Sequence, residues 1–303
     1  MTVDASPGLA EFEELRSRLF GIAYRMLGSA TDAEDVLQDA WLRWQTADRS
    51  DVCSPEAFLV RMVTNLCLNV LDSARARREV YVGPWLPEPV LTSAGELRPL
   101  DDGVQRECVS MALLALLERL SPPERAAYVL REAFGYSARE VADLIGSSEA
   151  NARQLLSRAR KHVSLAEKRT VDPATWLDLV QRFFAAARDG DVARLEAMLA
   201  ADVVSAADGG GVVHAARRPV RGRDKVARYV VGLLAKFGAG FASTLLEVNG
   251  ETAIVSTRDG GLASVWFLET DGVRVTGLRQ VVNPDKLAFL ARQLSRTGGL
   301  PGL

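Results

Sequence analysis

Apolar residues recur at helical spacing through the first part of the chain. Leu15, Leu19, Ile22 and Met26 fall on one face, and Gly28 then breaks the pattern. Thr31-Asp-Ala-Glu34 has the form of a capping box and predicts a fresh helix start. That helix buries Ala33, Leu37, Trp41 and Trp44 and presents Asp32, Asp35, Gln38, Asp39 and Arg43. After a polar loop from Thr46 to Cys53, Ser54 and Pro55 open a third helix. Its apolar positions are Phe58, Met62, Leu66 and Val70, and its polar ones Arg61, Asn65, Asn69 and Asp72. It ends in Arg75, Arg77 and Arg78.

The character changes over 79–107, where Gly83-Pro84-Trp85-Leu86-Pro87-Glu88-Pro89 excludes regular helix and reads as a linker. Helical patterning resumes over 108–166. Ser121-Pro-Pro-Glu124 and Ser137-Ala-Arg-Glu140 are capping boxes, a short helix with Val141, Leu144 and Ile145 stops at Gly146, and Ser148 caps a helix through Leu156, Ala159 and Val163. Two capped helices around a glycine turn form a helix-turn-helix signature.

From Asp172 the pattern changes again. One amphipathic helix holds Trp176, Val180, Phe183 and Phe184, and a second short helix holds Leu195 and Leu199. The Asp208-Gly-Gly-Gly211 tract and a helix near Arg223–Lys236 follow. Strand-like runs then occupy Ser243–Val248, Ala253–Thr257, Ala263–Glu269 and Val273–Val282. Asn249-Gly250, Asp259-Gly260 and Asp271-Gly272 are hairpin turns between them, and Asn283-Pro284 opens a closing helix. The expected architecture is multidomain. Two all-α domains (9–78 and 108–168, joined by the linker 79–107) precede an α+β domain over 172–295, with an antiparallel sheet and helices on one face.

Charge narrows the choice of partner. Net charge is -2, and the part up to Thr170 carries 21 Lys+Arg against 25 Asp+Glu, so any DNA contact must come from local patches. Asn151 to Thr170 is such a patch, with six Lys or Arg and one acid. A helix fits the major groove, where Glu149, Asn151, Arg153 and Gln154 are types that reach bases, while Arg158, Arg160 and Lys161 suit phosphates. A helical hairpin with a solvated basic face is the plainer reading of the same residues. The acidic face of the Asp32–Trp44 helix repels DNA and favours a protein partner. The Asn- and Arg-bearing third helix suits single-stranded DNA. Trp41, Trp44 and Phe58, at helical spacing, read as core.

Cys53, Cys67 and Cys108 and the two histidines, His162 and His214, show no zinc spacing and no disulfide framework, which fits a reducing cytosol. No signal segment or membrane span is expected, and no metal or cofactor. Asp208 and His214 flank the glycine tract. An acid–base pair there would suit an enzyme, but nothing pairs them, and a turn beside a surface histidine is the favoured reading.

These strings resemble a known family. Ala23-Tyr-Arg-Met-Leu-Gly-Ser29 and Asp32-Ala-Glu-Asp-Val-Leu-Gln-Asp-Ala-Trp-Leu-Arg43 resemble region 2 of extracytoplasmic-function (ECF) sigma factors. Leu120-Ser-Pro-Pro-Glu-Arg125 and Glu140-Val-Ala-Asp-Leu-Ile-Gly146 through Ser157-Arg-Ala-Arg160 resemble region 4. The tail resembles a SnoaL-like domain, a cone with a curved antiparallel sheet. Trp85-Leu-Pro-Glu-Pro89, Asp208-Gly-Gly-Gly211 and Asn283-Pro-Asp-Lys-Leu287 resemble marks of the subgroup in which that domain is fused.

The resemblance implies a non-enzymatic cytoplasmic factor that binds RNA polymerase core and promoter DNA. Asp32, Asp35, Gln38, Asp39 and Arg43 would meet the β′ clamp helices, and region 4 the β flap. Arg61, Asn65, Asn69 and Arg75 would hold the melted −10 element. Ser148, Glu149, Asn151, Arg153, Gln154, Arg158 and Lys161 would read the −35 element. Relatives often carry arginine near Leu155 and valine near Ala152, so their −35 preference does not transfer. Trp85, Pro87, Asp208, Gly209, Asn283, Pro284, Asp285 and Lys286 would form one regulatory interface through which the tail acts in cis, with room left for an unidentified small ligand. A cyclase- or isomerase-like enzyme, or a small-molecule sensor, fused to a DNA-binding module is the alternative; a stand-alone repressor leaves the acidic helix without a purpose.

Overall fold

The computed structural model describes residues 8–79, 81–92, 109–163 and 171–298; in the third helix, side chains are described as far as Ser73. Arg75, Arg77, Arg78 and Cys108 lie outside the described side chains. The chain divides into two compact units. Unit 1 comprises residues 1–80, 90–166 and 249–251, and unit 2 comprises 81–89, 167–248 and 252–303.

Unit 1 begins with three mutually packed helices, α1 (Leu9–Leu27), α2 (Ala30–Thr46) and α3 (Pro55–Glu79). Gly28 closes α1 at φ 66, a left-handed conformation suited to glycine. The chain leaves that turn extended at Ser29, whose Oγ accepts from the Asp32 N–H at 3.0 Å. The cap of α2 is therefore Ser29, and the box expected at Thr31 lies inside the first turn. Trp44 is buried, as expected, and donates its indole N–H to the Gly8 carbonyl at 3.0 Å. Trp41 is only half-buried, tilted against Phe12 at 5.2 Å. The buried stripe of α3 also differs from the expected one. It comprises Leu59, Val60, Val63, Leu66, Cys67 and Leu71, with Phe58, Met62 and Val70 at its flanks. A helix that packs on two neighbours needs a broad stripe, and Leu66 alone is shared with the expected set.

The helix-turn-helix follows: α4 (Met111–Leu117), α5 (Pro122–Tyr128) with a π turn at Val129–Ala133, α6 (Ala138–Ile145) and α7 (Glu149–Val163). Both capping boxes form, at Ser121/Glu124 and Ser137/Glu140. Gly146 ends α6 at φ 67, and Ser148 Oγ accepts from the Asn151 N–H at 3.2 Å to start α7. Within unit 1 these helices pack on the first three, with α3 touching both α5 and α6. Buried Arg125 donates to the carbonyls of Met26 at 2.7 Å and Leu117 at 2.8 Å, and pairs with Glu118 at 2.6 Å. Arg25 lies over the Phe134 ring at 5.2 Å, and Arg18 donates to the Tyr136 hydroxyl at 3.0 Å.

Residues 249–251 supply a further pin to unit 1. Asn249 is fully buried at φ 54. Its backbone N–H donates to the Val90 carbonyl at 2.9 Å, and its side-chain oxygen accepts from the Val90 N–H at 3.0 Å. Its side-chain amide donates to the Tyr24 hydroxyl at 2.6 Å and the Val109 carbonyl at 3.0 Å. Glu251 accepts from the Met111 N–H at 2.8 Å, at the start of α4. One turn thus joins α1, the 90–92 segment and the head of α4.

Unit 2 contains α8 (Pro173–Arg188), α9 (Val192–Met198), β1 (Leu199–Asp208), β2 (Val220–Arg221), α10 (Arg223–Phe237), β3 (Phe241–Val248), β4 (Glu251–Arg258), β5 (Gly261–Thr270), β6 (Val275–Val281) and α11 (Pro284–Arg296). The strand order is β2-β1-β6-β5-β4-β3. Leu199 was expected to end a helix, but it starts β1. The run Leu199–Asp208 is alanine-rich, and its two β-branched residues, Val203 and Val204, are too few to announce a strand. β1 lies parallel to β6, so the sheet is mixed rather than antiparallel throughout. Phe183, Leu195, Val226, Val230, Trp266 and Leu278 are part of one core. Val265 and Phe267 alternate with Trp266 and Leu268, so β5 is buried on both faces.

Replacing Asn249 by glycine keeps its backbone conformation and removes the side-chain hydrogen bonds. Buried groups left without partners cost about 1–3 kcal/mol each. Native-state hydrogen exchange of the Val90 amide should therefore quicken by at least about tenfold in Asn249→Gly, since about 1.4 kcal/mol is a tenfold change. Unchanged protection would show that the turn holds nothing.

Candidate functional site

In unit 2, β1 ends at Asp208, and the linker segment Tyr81–Pro89 is seated on it. The Asp208 carboxylate is fully buried. Oδ1 accepts from the Tyr81 hydroxyl at 2.5 Å and the Gly210 N–H at 3.1 Å. Oδ2 accepts from the Leu86 N–H at 2.8 Å and from Lys286 Nζ at 2.7 Å. A carboxylate has about four acceptor positions, and all are filled. The β1–β6 register places the Asp208 carbonyl where it accepts from Val282 and Asn283 N–H, at 2.9 and 3.0 Å. That bond fixes the start of α11, which Asn283 caps by accepting from the Asp285 N–H at 3.1 Å. Lys286, one turn into the helix, is thereby aimed at Asp208.

Lys286 is 6% exposed, which is affordable for an ammonium only because every side of it is polar or aromatic. It pairs with Asp208, donates to the Leu86 carbonyl, and sits over the Trp85 ring at 3.9 Å and the Tyr81 ring at 5.0 Å. Asn283 also donates to the Tyr81 hydroxyl at 3.1 Å. Gly210, at φ 59, passes so close that an added Cβ would meet the Asn283 amide, with the Tyr81 hydroxyl 3.2 Å away. A Cβ on Gly209 would meet the Val213 carbonyl. Burial pushes the Tyr81 phenol up, and the Asp208 carboxylate beside it adds to the shift.

Of the residues singled out in the sequence, Trp85, Asp208, Asn283 and Lys286 come together here, with Gly209 and buried Pro87 beside them. Pro284 and Asp285 are exposed at the head of α11. Tyr81 and the Leu86 backbone were missed, since a phenol before a Gly-Pro turn has no periodic signature. His214 is exposed, and the adjoining hollow, lined by Val82, Gly83, Ala207, Gly209 and His214 among others, measures about 60 Å3. Small-molecule pockets run to roughly 300 Å3 or more. Asp208 has no free oxygen with which to serve an acid–base pair.

Unit 1 carries three separate polar faces. On α2, Asp35, Gln38, Asp39, Leu42 and Arg43 are exposed and Asp32 is half-buried; Leu42, 54% exposed, sits among these polar groups. On α3, Arg61, Asn65 and Asn69 stand one turn apart on the exposed side. Cys67 faces inward; burial and then Asp32 push its thiol up, so it is an inert core residue. On α7, Ser148, Glu149, Asn151, Arg153, Gln154, Arg158 and Lys161 are all exposed. Arginines of this helix are already engaged: Arg153 with Glu149 at 2.5 Å, Arg158 with Glu124 at 3.0 Å, and Arg160 with Glu132 at 2.7 Å. Arg131, Arg153 and Arg160 line a hollow of about 320 Å3 beside α6 and α7. Among the described residues no His, Cys, Asp and Glu cluster could hold a metal, and no helix is long and apolar enough to cross a membrane.

Comparison with known proteins bears on these faces. Residues 12–77 match the Sigma-70 region 2 family and residues 110–163 the Sigma-70 region 4 family. The chain is 42% identical over 291 residues to the ECF RNA polymerase sigma factor SigJ of Mycobacterium tuberculosis, covering 92% of each. It belongs to the ECF sigma factors. A second relative of this sigma factor, the probable ECF RNA polymerase sigma factor SigI of the same species, is 30% identical and covers 95% of this chain and 97% of its own. The crystal structure of M. tuberculosis SigJ superposes with a TM-score of 0.72 at 37% identity, over 93% of this chain and 98% of that one. The family implies RNA polymerase core and promoter DNA as partners, and its members are transcription factors.

Two outcomes test the linker seat of this sigma factor. Lys286→Met leaves Asp208 buried without its cation, and removing one member of a buried pair costs about 3–5 kcal/mol. Urea denaturation should show that loss, and the double variant Asp208→Asn/Lys286→Met should recover part of it. The second outcome concerns pH. The Tyr81 pKa is raised in the folded state, so its contribution is complete below the ordinary phenol value of about 10 and is lost as pH rises above it. The stability gap between wild type and Tyr81→Phe should therefore narrow above about pH 10; a constant gap would contradict the buried phenol.

Proposed function

We propose that this ECF sigma factor uses its three exposed faces separately and is regulated in cis by its C-terminal domain. The α2 face with Asp32, Asp35, Gln38, Asp39 and Arg43 docks on the β′ clamp helices, and region 4 on the β flap. Arg61, Asn65 and Asn69, with Arg75, hold the melted −10 strand. Ser148, Glu149, Asn151, Arg153, Gln154, Arg158 and Lys161 address the −35 duplex. The observation that carries this reading is the α2 face. It combines acids, which DNA repels, with an exposed leucine, which a protein surface would cover. The regulatory step is the seating of Tyr81–Pro89 on Asp208 and Lys286, which shortens the free chain available to the two sigma regions. A contact worth a few kcal/mol is enough to shift the balance between seated and released linker.

The decisive experiment is co-purification of the full chain with core polymerase. Retention should fall by about tenfold or more in Asp35→Lys/Asp39→Lys, a loss of about 1.4 kcal/mol. Asn65→Ala/Asn69→Ala should keep core binding but lose strand opening, read as permanganate reactivity of promoter thymines. Failure of the wild-type chain to bind core would end this reading, and equal transcription by wild type and Lys286→Met would end its regulatory part.

A further inference from the structure

The linker seat leaves one strongly charged surface of unit 2 unused. Between Arg217 and Arg228 the chain carries Arg217, Arg218, Arg221, Arg223, Lys225 and Arg228 against a single acid, Asp224. Arg217 and Arg218 lie in the loop before β2, Arg221 on β2 itself, and the other three in the first turns of α10. β2 is an edge of the sheet, and α10 packs on β1 and β2, so loop, edge and helix head are neighbours. All but Arg223 are exposed. Arg228 is paired with Asp224 at 2.7 Å. The side chains of Arg217, Arg218, Arg221, Arg223 and Lys225 have no hydrogen-bonded or ion-paired partner among the described residues.

A basic edge strand is commonly a guard against edge-to-edge pairing. That accounts for Arg221 alone. β2 is two residues long, and the charge extends past it on both sides, into a loop and a helix that need no such guard. A chain with a net charge of -2 that gathers unpaired cations on one surface presents a site for a polyanion. Guanidinium groups match phosphate oxygens in pairs, and Lys225 and Arg228, three apart on α10, share a face. We propose that the Arg217–Arg228 surface contacts the phosphate backbone of duplex DNA without regard to sequence. The C-terminal domain then supplies DNA affinity of its own, apart from the −10 and −35 contacts. This does not depend on the polymerase reading, because it is measured without polymerase.

The test is fluorescence anisotropy of the full chain with a random-sequence duplex of several helical turns, titrated over a range of KCl. Each phosphate contact contributes about 0.9 to the slope of log affinity against log salt. Arg217→Gln/Arg218→Gln/Arg221→Gln should bind more weakly, with a slope shallower by about two to three. Lys225→Gln, a single exposed change that leaves folding unaffected, should lower the slope by about one. The triple Arg-to-Lys variant should restore most of the affinity, and Arg182→Gln/Arg188→Gln, exposed arginines on α8, should leave it unchanged. Wild-type affinity and slope in both the triple and Lys225→Gln variants would overturn the proposal. So would an equal loss in the α8 control, or a loss seen only in binding to core polymerase, which would make the surface a protein contact.

Discussion

A buried carboxylate organises the second half of this protein. Asp208 has no contact with water, and an ionised group so placed is tolerated only when every lone pair is met. The four donors that meet it come from three places in the chain: Tyr81 and Leu86 in the linker, Gly210 just after the strand, and Lys286 in the last helix. None of the four is redundant. The charge therefore acts as a condition on assembly: the linker segment, the glycine tract and α11 must all be present together, or the strand ends in an uncompensated ion. The fit of the glycines follows from the same demand, because the chain must turn within contact distance of Asn283 and Tyr81.

Unit 1 uses a neutral version of the same device. Asn249 spends a side-chain acceptor, a side-chain donor and a backbone donor on Val90, Tyr24 and Val109, and its turn also meets the head of α4 through Glu251. Arg125 does comparable work nearby, tying region 4 to the end of α1. Polar groups of this kind add specificity to a largely aliphatic core, because a carbonyl or hydroxyl accepts one geometry where leucine accepts several. The polar faces of α2, α3 and α7 stay on the outside of this framework. Most of their side chains are exposed, and arginines such as Arg158 also brace one helix against another.

Much of this was legible in the sequence, for identifiable reasons. Capping boxes at Ser121 and Ser137, the Gly146 stop and the Asn249-Gly250 and Asp259-Gly260 turns are local devices, and local devices are readable without a fold. The exposed sides of α2, α3 and α7 followed from polar periodicity. What failed was non-local. β1 is a strand because β6 lies beside it, not because its alanines prefer to be extended, so its parallel pairing had no signature. The cap of α2 moved to Ser29 because Gly28 sets where the chain can turn. Asp208, Asn283 and Lys286 were picked out as family marks. Tyr81 and Asn249 were not, since each draws its importance from a partner far away in sequence; Arg125 stood in a family string, but its bond to Met26 had no signature.

The parallel pairing of β1 with β6 has a consequence for the order of events during synthesis. Lys286 follows its partner Leu86 by 200 residues, and β6 and α11 are among the last elements made. Contacts so distant in sequence are slow to close, and domains fold as they leave the ribosome. The sigma regions are complete while Asp208 still lacks its cation and the linker its seat. Each newly made molecule therefore passes through an interval in which the helices of regions 2 and 4 exist and the seat of the linker does not. How long that interval lasts is set by the rate at which translation and sheet closure deliver a single lysine.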